Sequence, residues 1–479
     1  MFIDGRRVEA SDNGVIEVRN SATGEFIDTV PAATPQDVEA ALVAARRGKK
    51  SWGIVPVHER ARILMKCADA IDAKREELAV SLSTEMGKII REARPEIRVC
   101  AQILRGYAGM ASHHFGHTLN EYQIGAENDV IFTRREPLGV VACISPFNYP
   151  VELCAQKFAS ALAAGNAVVI KPASDNPLTI MKVVELCLEC GVPGNALQLV
   201  TGRGASVGDA LAKSPLVDAV SLTGSTEVGI RVAEAGAKTL KRVCLELGGN
   251  DPYIVFDDAD METAIRDAVA GRVQNAGQTC CAPKRFFVQK GVHDEFVRGA
   301  VEMIKSLKTG SPLDESTDLG SLISGRAAAE VQRQVDHTIK QGARLVCGGH
   351  VYGETYFEPT VLDGVTMEMD VAREMEIFGP VMPVIEFETE EQAVEMANAT
   401  PYGLQAGVIT RDMGLAMRVA ARLECGGVVF NSSGNYRHLQ QPFGGWKQTG
   451  IGQEGVSRTL DEMTLEKSYI LKNILKAPE

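Results

Sequence analysis

Residues 139–170 read GVVACISPFNYPVELCAQKFASALAAGNAVVI. Gly139 to Ile144 is a short, unbroken apolar run, the pattern of a strand buried on both faces. Val151 to Ala164 carries apolar residues at helical spacing, and Ala167 to Ile170 is a second apolar strand. The texture then repeats. Pro177 to Cys190 reads as a helix, and Leu197–Val200 and Ala219–Leu222 read as strands, each followed by a glycine turn and a helix. Buried strands alternating with helices predict a parallel sheet covered on both faces. A second such run begins at Asp251, with a strand at Tyr253–Phe256, a helix from Met261 to Asn275 and a strand at Arg285–Val288, and it continues to about Asn431. Two alternating blocks predict an α/β chain of two doubly wound parallel-sheet domains, with a cleft between them where ligands bind.

The flanking segments read differently. Short strand patterns such as Gly14–Val18 open the chain, a helix begins at Pro35, and long charged helices run from about Val57 to Met110. Asn120 to Arg135 reads as a polar antiparallel strand pair. Together with a strand around Glu466 to Leu471 it predicts an arm for subunit contact.

The 479 residues exceed one ordinary core, and 45% hydrophobic with 23% charged residues lies in the globular range. The net charge of −12 argues against an electrostatic nucleic-acid or anionic-membrane surface and favours solubility. No stretch approaches the ~20 apolar residues of a membrane helix, and the first residues show no signal core. Eleven cysteines without framework spacing fit reduced thiols and a cytoplasmic location. Cys187 and Cys190 form a CxxC at the end of an apolar helical pattern, without the second cysteine or histidine pair of a metal site, so no metal is expected.

Four short motifs carry chemistry. Gly277-Gln278-Thr279-Cys280-Cys281 places a cysteine after a helix terminus, where backbone N–H groups favour a thiolate; a merely buried thiol fits the same residues. In Cys244-Leu245-Glu246-Leu247-Gly248-Gly249 an acidic residue interrupts an apolar strand. Burial would raise its pKa towards that of a general base, although a satisfied structural carboxylate is the plainer alternative. Ser145-Pro146-Phe147-Asn148 follows a parallel strand and offers the Asn148 amide as an oxyanion donor, or only turn chemistry. Thr223-Gly224-Ser225 opens a helix whose N–H groups suit a pyrophosphate, but the sequence is not GxGxxG.

In chain order, Pro-Phe-Asn at 146–148, Lys-Pro-Ala-Ser at 171–174, Thr-Gly-Ser-Thr-Glu-Val-Gly at 223–229, Glu-Leu-Gly-Gly-Asn at 246–250, Gly-Gln-Thr-Cys at 277–280, Glu-Ile-Phe-Gly-Pro at 376–380 and Pro-Phe-Gly-Gly at 442–445 resemble the aldehyde dehydrogenase superfamily. The resemblance spans essentially the whole chain. It implies a Rossmann-like cofactor domain (1–117 and 137–247), a catalytic domain (248–446) and a small β oligomerisation segment (118–136 and 447–479), in a homodimer or homotetramer. It also implies that Cys280 is the nucleophile, Glu246 the general base, and Asn148 with the Cys280 N–H the oxyanion hole. By the same matching, the cofactor is held by Ile144, Ser145, Pro146, Phe147, Lys171, Ala173, Ser174, Gly204, Gly208, Thr223, Gly224, Ser225, Glu246, Leu247, Gly248, Glu376 and Phe378. The substrate is met by Tyr149, Glu152, Gln156, Thr279, Arg437 and Phe443.

The implied reaction is attack of Cys280 on an aldehyde, transfer of hydride to a nicotinamide, and hydrolysis of the thioester by water that Glu246 activates. Ser174 stands where NAD-preferring relatives often carry a glutamate, and a serine does not repel a 2′-phosphate. NADP is therefore expected to be accepted, with NAD also usable. Gln156 stands where succinate semialdehyde dehydrogenases usually carry an arginine, whereas Arg437 and His438 are candidates for an anionic tail. Two other readings compete: a CoA-acylating enzyme, which commonly lacks the glutamate, and a non-catalytic relative on the same scaffold.

Overall fold

The structure is a computed structural model that describes residues 1–119 and 123–476. It contains two large, mainly parallel sheets. The first has eight strands in the order Arg6–Arg7, Phe2–Ile3, Leu197–Leu199, Ala167–Lys171, Val140–Ile144, Ala219–Thr223, Arg242–Glu246 and Gly450–Ile451. The five central strands are parallel. Every residue of Val140–Ile144, Ala167–Lys171 and Ala219–Thr223 is buried, which is why these strands read as unbroken apolar runs.

Strand order reverses between Val140–Ile144 and Ala219–Thr223, and a sheet of this kind opens its crevice at that point. The turn bearing Asn148 leaves the first of these strands and the turn bearing Gly224 leaves the second. The opening stretch of sequence therefore already contained one wall of the cleft.

The second sheet has seven strands: Arg344–Cys347, Thr360–Asp363, Val381–Phe387, Arg285–Gln289, Pro252–Val255, Gln405–Ile409 and Gly427–Phe430. Only the first is antiparallel to its neighbour. The two sheets carry separate apolar cores, one around Tyr253, Phe286 and Phe296 and another around Trp52, Tyr107 and Phe158.

Thr34 caps the helix Pro35–Gly53, with Asp37 completing a capping box. The charged region after it is three helices, Val57–Ala73, Arg75–Met86 and Ile90–Ala111. Gly87 ends the second in a left-handed conformation (φ 82°) that a side chain resists. The third packs on the helix Pro150–Ala164 and supplies buried charges to the site.

The predicted arm is a three-stranded antiparallel sheet of Thr118–Leu119, Val130–Pro137 and Thr464–Leu471. Asn120, where the expected strand pair began, lies outside the described residues. The C-terminal segment does more than complete the arm. Gly450 pairs with Glu246 at the edge of the first sheet. No helix among the described residues is long and apolar enough to cross a membrane, and no group of potential metal ligands occurs among them.

Candidate active site

The helix Met261–Val273 was expected to continue to Asn275, but it stops two residues earlier. Asn275 (φ 51°) and Ala276 (φ 54°) are left-handed, and Gly277 (φ 77°) extends the reversal. Left-handed alanine costs roughly 1–2 kcal/mol. At Gly277 a β-carbon would lie 2.3 Å from the Gly379 backbone, so glycine is required there. This reversal carries Cys280 to the cleft. Cys280 is half-buried, whereas Cys281 is buried and directs its Sγ to Oδ1 of Asn435 at 3.6 Å. The two adjacent thiols are thus distinguished by access.

Glu246 ends the strand Arg242–Glu246, and both of its carboxylate oxygens are buried without a hydrogen-bond partner among the described residues. Burial, helped by the charge of Glu454, raises its pKa to about 7, while Arg437, Lys157 and the nearby Cys280 thiol act in the opposite direction. Contact with the Cys281 thiol, burial and the Glu246 carboxylate hold the Cys280 thiol well above its usual range; Lys284 opposes them. Cys280 thus sits beside a carboxyl group poised to change charge near neutrality.

The Asn148 turn is held by buried groups that the motif did not disclose. Its carbonyl oxygen accepts from Lys88 Nζ at 2.9 Å and from Asn275 Nδ2 at 2.9 Å. Lys88 is fully buried, pairs with Glu96, and lies 3.5 Å from the centre of the Tyr149 ring. The other oxygen of Glu96 accepts from the N–H groups of Val151 (2.9 Å) and Glu152 (3.3 Å), and so caps a helix that has no side-chain cap of its own. The Tyr149 hydroxyl is 3.4 Å from Thr279 Oγ1.

A cleft of about 1380 Å³ runs from Cys280 along the ends of the first sheet. Ser145, Pro146, Phe147, Asn148, Lys171, Ala173, Ser174, Gly204, Thr223, Gly224, Ser225, Glu246, Leu247, Gly248, Glu376 and Phe378 all line it. Ile144 and Gly208, also expected there, do not. Ile144 is the last residue of a fully buried strand, and Gly208 is buried one turn beyond the lining residues Gly204 and Ser206. Arg203 and Arg326 are further lining cations that the motifs did not flag.

The cleft fits a dinucleotide. The hydroxyls of Ser145 and Thr223 are buried with no partner among the described residues. Ser225 caps the helix Thr226–Ala237, whose amino end faces the cleft with its positive dipole. A β-carbon at Gly248 would lie 2.8 Å from Oε2 of Glu376. Lys171 is buried, and its pKa falls to about 8 through desolvation, partly offset by Asp175. The Ser174 hydroxyl donates to Gly202 O at 2.9 Å and puts no carboxylate at its own position.

On the far side of Cys280 the expected substrate residues have other engagements. Gln156 is buried and accepts from the Tyr107 hydroxyl at 2.7 Å. Arg437 pairs with Glu454, and its guanidinium lies 4.2 Å from the centre of the buried Phe443 ring. Arg437, expected to meet an anionic tail, is engaged by Glu454, a carboxylate it shares with Lys157. His438 is exposed. Lys157 donates to the other Glu454 oxygen at 2.8 Å. Against the effect of burial, Lys157 and Arg437 bring the Glu454 pKa down to about 2. Burial raises the Glu152 pKa, and Arg437 is the chief opposing charge. Lys157 was visible in the sequence as a charge inside the apolar helix 150–164, a signal like the one that marked Glu246. Glu454, in a glycine-rich turn, gave none.

A model of the aldehyde dehydrogenase family matches residues 8–469. A betaine aldehyde dehydrogenase of Cereibacter sphaeroides is 41% identical over 481 residues, covering 100% of this chain and 98% of its own. An NADP-dependent succinate-semialdehyde dehydrogenase of Escherichia coli is 37% identical, covering 98% and 96%. The crystal structure of a Staphylococcus aureus betaine aldehyde dehydrogenase in complex with NAD+ superposes with a TM-score of 0.96 at 34% identity, over 100% of this chain and 95% of that one.

Proposed function

The chain belongs to the aldehyde dehydrogenase family, and from that premise we propose that it oxidises an aldehyde to the carboxylic acid through a thioester on Cys280, resolved by Glu246 and water. The observation that carries this reading is the shared position of three groups. A half-buried thiol, a buried carboxylate with two unpaired oxygens and the Asn148 side chain all border one cleft.

Glu246, with its pKa near 7, takes the thiol proton as Cys280 adds to the aldehyde carbonyl. Asn148 Nδ2 and the Cys280 N–H donate to the developing oxyanion. A bound nicotinamide dinucleotide supplies the hydride acceptor. Lys171, Ser174, Ser225 and Glu376 hold it, and the absence of a carboxylate at Ser174 supports acceptance of NADP as well as NAD. Once Glu246 has passed the thiol proton to solvent, it removes a proton from the water that releases the acid. A retained base supports hydrolysis over transfer to CoA.

The relatives act on betaine aldehyde and on succinate semialdehyde. For this chain we favour an aldehyde without an anionic tail. Arg437 and Lys157 are both committed to Glu454, Lys88 is committed to Glu96, and Gln156 is neutral. Exposed Leu465, Ile470 and Leu471 on the arm support assembly as a homodimer or homotetramer.

The test is a kcat/KM panel of neutral, cationic and carboxylated aldehydes with each cofactor, run beside Cys280→Ala. Turnover by that variant removes the mechanism. A preference for carboxylated aldehydes removes the substrate assignment alone.

A further inference from the structure

Lys284 lies four residues beyond the nucleophile and is almost fully buried. Its Nζ donates to the carbonyl oxygen of Cys280 and lies 3.2 Å from Oε1 of Glu376. It is also 5.9 Å from the centre of the Phe378 ring. One desolvated ammonium therefore touches the peptide of the nucleophile and the carboxylate of the cofactor cleft. A buried ammonium is tolerated only when its charge is shared, and Glu376 shares it here.

Three backbone features keep this cation in place. The Lys284 N–H donates to Asp251 O at 2.9 Å. The Gly249 N–H donates to the same Glu376 oxygen at 3.3 Å. A β-carbon on Gly249 would come within 3.0 Å of the Cys280 carbonyl, so the backbone leaves room there.

Resting on the proposed role of Cys280, we propose that Lys284 is a positioning residue that fixes the Cys280 peptide and supplies the positive charge stabilising its thiolate, at a strength set by Glu376. The groups facing the thiol are Glu246 and Cys281, which disfavour its ionisation, and Lys284 and Arg437, which favour it. Asp251 and Glu376 face the ammonium, and Arg272 and Tyr402 face Glu376. Arg437 is engaged by Glu454, whereas Lys284 directly contacts the nucleophile's own residue. Removing the ammonium and removing its counter-charge should therefore shift the thiol in opposite directions.

The experiment is the pH dependence of Cys280 alkylation by iodoacetamide in the full-length protein without aldehyde or cofactor, with the labelled peptide identified by mass spectrometry. Lys284→Met is expected to move the midpoint to higher pH and to slow labelling at neutral pH about tenfold, as one pKa unit implies. Lys284→Arg should recover part of that loss. Glu376→Gln should move the midpoint to lower pH and speed labelling several-fold. Unchanged labelling in Lys284→Met, or shifts of the same sign in Lys284→Met and Glu376→Gln, overturns the proposal. If Lys284→Met does not fold, Glu376→Gln decides alone, and labelling that is unchanged or slower overturns it. Cys280→Ser separates this outcome from the parent reading: continued aldehyde oxidation by that variant defeats the role of Cys280 whatever Lys284 does.

Discussion

Asn275 Nδ2 donates to the carbonyl oxygen of Asn148 at 2.9 Å, so the reversal that presents the nucleophile also grips the turn that presents the oxyanion donor. The same amide donates to Gln278 O at 3.1 Å, inside the nucleophile's own loop. Asn275→Asp keeps a residue that tolerates a left-handed backbone but loses this donor. Its kcat should fall about tenfold to a hundredfold, the usual effect of a misplacement near 1 Å, while cofactor affinity, read by fluorescence titration, stays close to wild type. Undiminished kcat would separate the two loops functionally.

Access divides the two cysteines. Cys281→Ala should retain oxidation and alkylation, whereas Cys280→Ala should lose both and still bind the cofactor. Peptide mapping after iodoacetamide treatment, run beside steady-state assays, checks the distinction.

Glu246 carries a stability cost with a defined pH window. Its folded pKa, about 7, lies above the ordinary glutamate value of 4.5, so the protonated form is favoured in the fold. The penalty is absent below pH 4.5, grows as the pH rises and is complete above 7, at about 3 kcal/mol. Glu246→Gln should therefore melt higher than wild type at pH 8 and at the same temperature near pH 4.5. Calorimetry at the two values tests the sign. The same variant should release one burst of reduced cofactor and then stall.

Arg437→Ala should lower kcat for every aldehyde alike and destabilise the fold by about 1.5–3 kcal/mol, because it unpairs one oxygen of buried Glu454. A KM rise confined to carboxylated aldehydes would restore the tail-binding role.

Ser174→Glu places a carboxylate beside Lys171 in the cleft. NADP should lose at least about tenfold in kcat/KM relative to NAD, since like charges cost on the order of several kcal/mol. Equal losses with both cofactors would count against a 2′-phosphate at this wall.

Periodicity reported the parallel strands faithfully because both of their faces are apolar, and the motifs at their ends followed. It misjudged the end of the helix at Val273, since nothing in Gln274-Asn275-Ala276 announces three left-handed residues before Thr279. The charged supports escaped for another reason. Lys88 and Glu96 belong to segments distant in sequence from Asn148, and only the tertiary fold brings their charges under its turn. The pairing of Arg437 with Glu454 was not legible, because Glu454 gave no signal of its own.

The backbones of Phe443 and Glu454 bond each other in both directions, and Gly450 between them lies beside Glu246. The same stretch then leads into the strand Thr464–Leu471 of the outer arm. A surface that holds the arm therefore also holds the loop that walls in the base. Fragments cut between the nucleophile and this loop would keep a thiol but lack the enclosure that makes its neighbouring carboxylate useful, so reactivity and complete folding are tied to the same late piece of chain.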